Sequence, residues 1–546
     1  MQGLMMDTPL LISAVIDYAA AVHGDARLIS RTVEGTIHRY TYCDSYRRIQ
    51  QLAHAWHGLG INQSDRIATL AWNGYRHFEL YYGISGIGAV CHTINPRLFT
   101  EQIVYIINHA EDRYICVDLS FVPLLEQIAG RLPRVEGYII LTDRDHMPET
   151  TLPNVLCYEE LLDGQPDHYD WPSFDERTAC SLCYTSGTTG NPKGVLYSHR
   201  SSLLHSLTLL TTGDRSLGPD TVMLPVVPLF HVNAWGLPYA LPMVGGSFIF
   251  PGPKLDGASL YEMIEQEGVT HAWGVPTVWL GLLQEVKQRQ ARFSTLRSMI
   301  IGGSAAPRAL IETLENDYGM DVIHGWGMTE MSPVGSTSIL SPAMRRLPKK
   351  EQHDIKVKQG RALFGVELKI VDASGQRLPH DGKAFGELLV RGPTITSGYY
   401  NDPQANENAF DAEGWFRTGD VSTIDEHGFL QIVDRTKDVI KSGGEWISSI
   451  DLENAAMGHP GVAEAAVIGV PHPKWGERPL LVVMRTSPQA VNAEQLHDYL
   501  SDKVARWWLP DAIEFVEELP HTATGKLLKT ELRKRYKNYQ LPTIED

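Results

Sequence analysis

Between residues 184 and 194 the chain reads YTSGTTGNPKG, directly after the apolar run ACSLC, and this stretch restricts the fold more than any other. Three glycines, four hydroxyl side chains (Thr185, Ser186, Thr188, Thr189) and the ammonium of Lys193 share one short segment behind an apolar strand. Backbone amides left open by glycine, hydroxyl donors and a cation are what a polyphosphate needs. It is not a Walker loop: the glycine spacing differs and Lys193 is followed by Gly194 rather than Ser or Thr, which disfavours an ordinary P-loop ATPase. A flexible surface loop shares the composition but not this ordered run of glycine, hydroxyls, proline and lysine.

Short apolar runs such as 66–72, 137–141 and 298–301 alternate with helix-like stretches such as 45–58 and 260–267, the pattern of α/β layers. At 546 residues the chain is too long for one ordinary core. From 365 to 392 it becomes strand-rich, with GVELKIVD and GELLVRGP separated by turn residues, which predicts a small β-barrel closing the first region. After Asp434 the pattern restarts with a helix at 450–457, strands at 462–470 and 480–484 and a helix at 493–504. The expected division is a large multi-subdomain α/β unit, 1–434, and a small α/β domain, 435–546.

The balance of 48 basic against 65 acidic side chains, −17 overall, argues against a nucleic-acid-coating surface. No long uninterrupted apolar run appears, and the first residues lack a basic start and carry Asp7 and Asp17. Neither an export signal nor a membrane span is expected, and the cytoplasm is the expected compartment. Cys180 and Cys183 form a lone CxxC that reads as two small core residues rather than a metal or redox pair. Gly83, Gly86 and Gly88 are not spaced as GxGxxG, so close helix packing is the simpler account.

Residues 184–194 resemble the signature loop of the adenylate-forming acyl-CoA synthetase family, and five further segments match that family in order. Gly325, Trp326, Gly327, Met328, Thr329 and Glu330 resemble the motif whose aromatic lies by adenine and whose Thr and Glu serve phosphate and magnesium. Residues 414–420 (GWFRTGD) resemble the segment whose aspartate, here Asp420, accepts from both ribose hydroxyls. Residues 434–438 (DRTKD) are similar to the interdomain hinge, with Arg435 at the ribose and Lys437 as pivot. SGGEW at 442–446 looks like the loop that turns in for thioester formation, which puts Lys441, Ser442, Gly443, Gly444, Glu445 and Trp446 on the coenzyme A side. PHTATGK at 520–526 resembles the motif ending in the catalytic lysine, Lys526.

The resemblance further implies ATP contacts from Thr185, Ser186, Gly187, Thr188, Thr189, Gly190, Lys193, Gly303 and Ser304, Mg²⁺ on Thr185 and Glu330, and catalysis by Lys526, Glu330, Thr185 and His231. A carboxylate is already ionised at neutral pH, so its attack on the α-phosphorus needs neutralised charge rather than a general base. The acyl pocket is expected from His231 and Trp235 in PVVPLFHVNAWG, together with Gly302 and Trp326. No Asp or Glu lies between 222 and 235, whereas amino-acid-activating relatives use an acid there, so an amino acid substrate is disfavoured.

HTINPRL, LFHVNAWG and KSGGEWIS most resemble bacterial medium- and long-chain fatty acid:CoA ligases and 3-methylthiopropionate:CoA ligases, which share every motif. Fatty acid is the first choice, with the carboxylic acid, ATP and coenzyme A as substrates, a small mobile C-terminal domain, and a homodimer as the one oligomer entertained. A luciferase-like oxygenase would share the adenylation motifs. A catalytically dead acyl sensor should have lost Lys526, Glu330 or Asp420, and all three are present.

Overall fold

The computed structural model describes residues 1, 3–185, 191–443, 445–521 and 527–541, with the backbone alone at 445 and 446. Among these residues the strands form three sheets. The first runs Val155–Cys157, Gly137–Ile140, Tyr114–Val117, Arg66–Leu70, Val90–Thr93, Ala179–Tyr184 and Gly194–Ser198. Neighbours are parallel except the last pair, an antiparallel hairpin joined by the glycine- and hydroxyl-rich segment. Parallel strands are covered on both faces and therefore read as continuous apolar runs, and Gly137–Ile140 and Val90–Thr93 are buried throughout.

In the second sheet the parallel block is Arg27–Arg31, Ser247–Phe250, Val222–Pro225, His271–Gly274, Ser298–Ile301 and Asp321–Gly327. From Gly325 onward the strand Asp321–Gly327 takes an antiparallel partner, Val334–Thr337. Antiparallel strands Gly360–Ala362, Phe429–Arg435, Phe416–Ile424, Phe385–Arg391 and Glu367–Val371 continue the order. The strand-rich unit read from 365 to 392 is thus hydrogen-bonded into the large sheet.

Helix Tyr42–Gly58 opens with a capping box between Thr41 and Asp44 and packs on helix Tyr75–Ser85. A Cβ on Gly83 would come within 2.5 Å of Leu52, so this glycine lets the two helices approach. Cys180 and Cys183 are buried free thiols, the second donating to Asn233 Oδ1.

The third sheet contains the hairpin Ile440–Ser442 and Glu445–Ile447, then Gly476–Arg485 between Val462–His472 and the parallel strand Ala512–Val516. Helices Ser449–Met457 and Ala493–Ser501 cover one face through Leu452, Leu496 and Leu500, and Leu532 of helix Lys529–Arg535 covers the other. Among the described residues no helix is long and apolar enough to cross a membrane.

Candidate active site

Most of the candidate segments leave the carboxyl ends of parallel strands, where open α/β sheets hold their ligands. Thr185 follows Ala179–Tyr184, His231 and Trp235 follow Val222–Pro225, Gly302 to Ser304 follow Ser298–Ile301, and Trp326 to Glu330 end Asp321–Gly327 and enter the short turn Thr329–Met331. The phosphate-type loop is closed at its base, where Thr185 N–H donates to Lys193 O at 2.9 Å and Lys193 N–H donates to Thr185 Oγ1 at 3.2 Å. Ser186, Gly187, Thr188, Thr189 and Gly190 lie outside the described residues, as do Gly444 and Lys526.

Glu330 is 7% exposed, and burial pushes its carboxyl above the usual range against the opposing pull of the Tyr399 hydroxyl, Arg435 and Lys193. Tyr399 donates to its Oε1 at 2.7 Å, and the Lys193 ammonium sits 4.8 Å from the Tyr399 ring centroid. Thr329 is fixed by its carbonyl, which accepts from Tyr197. A buried carboxylate held by a neutral phenol keeps charge and lone pairs for a hard cation, so this donor set fits Mg²⁺.

Asp420 is 2% exposed and bridges two other candidates. Its Oδ2 accepts from the Trp326 indole at 2.9 Å and its Oδ1 faces Arg435 Nε at 2.9 Å. Each carboxylate oxygen still has acceptor capacity for a hydroxyl. Gly325, Gly327 and Met328 share this edge, with Met328 N–H donating to Pro333 O at 3.0 Å. Gly303 and Ser304 are exposed beside it.

The acyl-side segment has a geometry that its sequence does not announce. Val232, Asn233, Ala234, Trp235 and Gly236 all have positive φ, from 43° to 85°, a left-handed turn built mostly from residues that resist it. Asn233 Oδ1 anchors the turn, accepting from Ser181 Oγ at 3.1 Å and Tyr81 Oη at 3.3 Å as well as from Cys183. Asn73 holds the approach, donating to Pro225 O and Val227 O and accepting from Leu229 N–H. A Cβ on Gly302 would meet the Trp235 ring at 3.0 Å, which places these two expected neighbours together. His231 lines a cavity with Thr93, Asn95, Cys183, Tyr184 and Phe230.

On the small unit, 441–446 forms a hairpin rather than an open loop. Ser442 is buried and accepts from Arg478 at 3.2 Å, Gly443 N–H donates to Trp475 O at 2.8 Å, and Lys441 is exposed on the first strand; the Glu445 and Trp446 side chains lie outside the described residues. Lys437 lies between the last strand of the large sheet and this hairpin, with its ammonium pKa lowered by burial.

Sequence reasoning missed Tyr399, Asn233 and Asn73. Asn233 had one signal, a lone amide in the apolar run PVVPLFHVNAWG; Tyr399 lies in no motif considered above.

Against protein families, residues 16–400 match the model of the AMP-binding enzyme and 451–526 that of its C-terminal domain. The chain is 48% identical over 538 residues to a 3-methylmercaptopropionyl-CoA ligase of Ruegeria lacuscaerulensis, covering 98% of this chain and 99% of that one. It is 47% identical over 537 residues to a medium-chain-fatty-acid–CoA ligase of Ectopseudomonas oleovorans, covering 98% of each. Among solved structures, an anthranilate CoA ligase in complex with anthranoyl-AMP superposes with a TM-score of 0.85 at 26% identity, covering 97% of this chain and 98% of that one. With both regions matched and Glu330 and Asp420 buried beside the strand ends, the chain belongs to the AMP-binding enzyme family.

Proposed function

We propose that this protein is an ATP-dependent carboxylic acid:CoA ligase acting on acids with an apolar tail, medium- to long-chain fatty acids first. The observation that carries the substrate class is the acyl-side wall: no acid between 222 and 235, with Trp235 packed on Gly302. The thioether acid is the second reading, favoured by the likeness to the Ruegeria ligase. ATP and coenzyme A are substrates of the cytoplasm, where we place the enzyme.

In the first step an acid oxygen attacks the α-phosphorus and pyrophosphate leaves; in the second the coenzyme A sulfur attacks the acyl carbonyl and AMP leaves. Glu330 and Thr185 would hold Mg²⁺, which would supply positive charge at the phosphates. The 185–193 loop and Lys526 grip the triphosphate, Asp420 and Arg435 the ribose, and Trp326 with Gly303 and Ser304 the adenine. The contacts of the loop and Lys526 at the phosphates strengthen as charge builds on the leaving pyrophosphate, and so lower the barrier.

We place the domain division at 434/435 and the pivot at Lys437. Supporting a rotation, the hairpin at 440–447 and His521 lie on opposite sides of Gly476–Arg485, since His521 contacts Glu464 of Val462–His472 at 2.7 Å. Two strand spacings, about 10 Å, separate those edges, so one orientation of the small sheet presents one segment.

The test is coenzyme A-dependent AMP release across straight acids from short to long, 3-methylthiopropionate, an aromatic acid and several amino acids. A kcat/KM peak on medium or long alkanoates is expected. A peak on the thioether acid selects the second reading, and a peak on an amino acid contradicts both.

A further inference from the structure

The segment 394–400, TITSGYY, joins strand Phe385–Arg391 to helix Pro403–Glu407, and it touches the candidate site at three points. Thr396 N–H donates to the main-chain oxygen of Glu330 at 2.8 Å. Tyr399 donates its hydroxyl to Glu330 Oε1 at 2.7 Å while its ring lies 4.8 Å from the Lys193 ammonium. Tyr400 N–H donates to Gly194 O at 2.8 Å, and its ring meets His109 edge-on, the same histidine that hydrogen-bonds the Tyr184 hydroxyl at 2.7 Å. Tyr184 and Gly194 are register partners at the base of the phosphate-type loop, so this segment ties both stems of that loop and the buried carboxylate to one short piece of chain.

The fastening is itself held rigidly. Asn406 Oδ1 accepts from Tyr399 N–H at 2.6 Å and its Nδ2 donates to Tyr399 O at 3.1 Å, while Asp402 caps the following helix through Ala405 N–H at 3.0 Å. The phenol suits its position. It gives the buried carboxylate a hydrogen bond without cancelling its charge, and its ring face attracts an ammonium. A lysine here would neutralise Glu330, and an aliphatic residue would leave both groups without support.

We propose that Tyr399 is a positioning residue for ATP activation: it holds the Glu330 carboxylate and the Lys193 ammonium in fixed relation, so that the metal-side and phosphate-side groups meet the nucleotide together. It touches neither substrate and acts through those two side chains. The inference rests on the ATP-dependent reading given above, and on the contacts of Tyr399 rather than on a family motif.

The experiment compares wild type, Tyr399→Phe and Tyr399→Leu by calorimetric titration of ATP at graded Mg²⁺, without acid or coenzyme A. In parallel, thioester formation is followed from synthetic dodecanoyl-adenylate and coenzyme A. Tyr399→Phe should raise the Mg²⁺ needed for half-maximal ATP binding about tenfold, the size expected for a hydrogen bond to a buried charge. Tyr399→Leu, which also removes the ring under Lys193, should weaken it further, and both variants should form thioester from the supplied adenylate at the wild-type rate. Phe-variant binding equal to wild type overturns the proposal, as does a parallel loss of ATP binding and thioester formation. A wild-type protein that binds no Mg·ATP overturns the functional reading itself, a result distinct from a wild type that binds and a Phe variant that matches it.

Discussion

The candidate site of the large unit and the interior of the small unit use their buried polar groups differently. At the candidate site two buried acids take their partners from other segments: Glu330 from Tyr399, which lies beside Lys193, and Asp420 from Trp326 and Arg435. In the small unit the buried polar groups close on one another. Arg478 pairs with Asp511 and donates to Ser442, and Lys529 pairs with Glu453 at 2.7 Å. The first pattern suits a site assembled before its ligand arrives, the second a rigid body. On the function proposed above, nucleotide recognition would reside in the large unit and the choice between half-reactions in the orientation of the small one.

The largest effect expected from this contrast comes from Lys526→Ala. Removing a charge that stabilises the transition state should cut adenylation about a hundredfold or more, with thioester formation from supplied adenylate nearly intact. Equal loss in both would erase the distinction between the two segments. Next, Lys437→Pro should slow thioester formation about tenfold or more and spare adenylation, measured by pyrophosphate release before and after coenzyme A addition. Asn233→Ala should lower kcat/KM for the acid about tenfold and leave the KM for ATP unchanged, because it strands the Ser181 hydroxyl and releases a strained turn on the acyl side alone.

The smallest effect is on stability. Burial pushes Glu453 up to about 7 and Asp451 up to about 6, so the folded small unit holds protons that the unfolded chain releases above the usual carboxylate range. Its stability should fall as pH rises from about 4.5 to about 7 and then level off. Segmental hydrogen exchange in helix Ser449–Met457 reads this directly, and Glu453→Gln should flatten the slope.

The same contrast explains what was legible in the sequence. Strand Ser298–Ile301 is legible at its observed bounds, because a fully buried parallel strand is a nearly unbroken apolar run. The helix expected at 45–58 starts three residues earlier in the structure, at the box formed by Thr41 and Asp44. Local motifs named Glu330, Asp420 and Lys193, but their partners came from segments whose own pattern is unremarkable; Tyr399 is 69 residues from Glu330. The left-handed turn at 232–236 was illegible for a different reason: local propensity opposes it, and tertiary hydrogen bonds from Tyr81 and Ser181 impose it. The hairpin at 440–447 is hard to distinguish from a loop in sequence because its strands are three residues each.

The central claim, an acyl-adenylate made at the large unit's site and passed to coenzyme A, has a direct isotopic test. The acid, labelled with ¹⁸O in both carboxylate oxygens, is converted with ATP and coenzyme A, and the AMP and acyl-CoA are analysed by mass. Attack of a carboxylate oxygen on the α-phosphorus predicts one labelled oxygen in AMP and one in the thioester. Unlabelled AMP, or ADP and phosphate in place of AMP and pyrophosphate, would contradict the account.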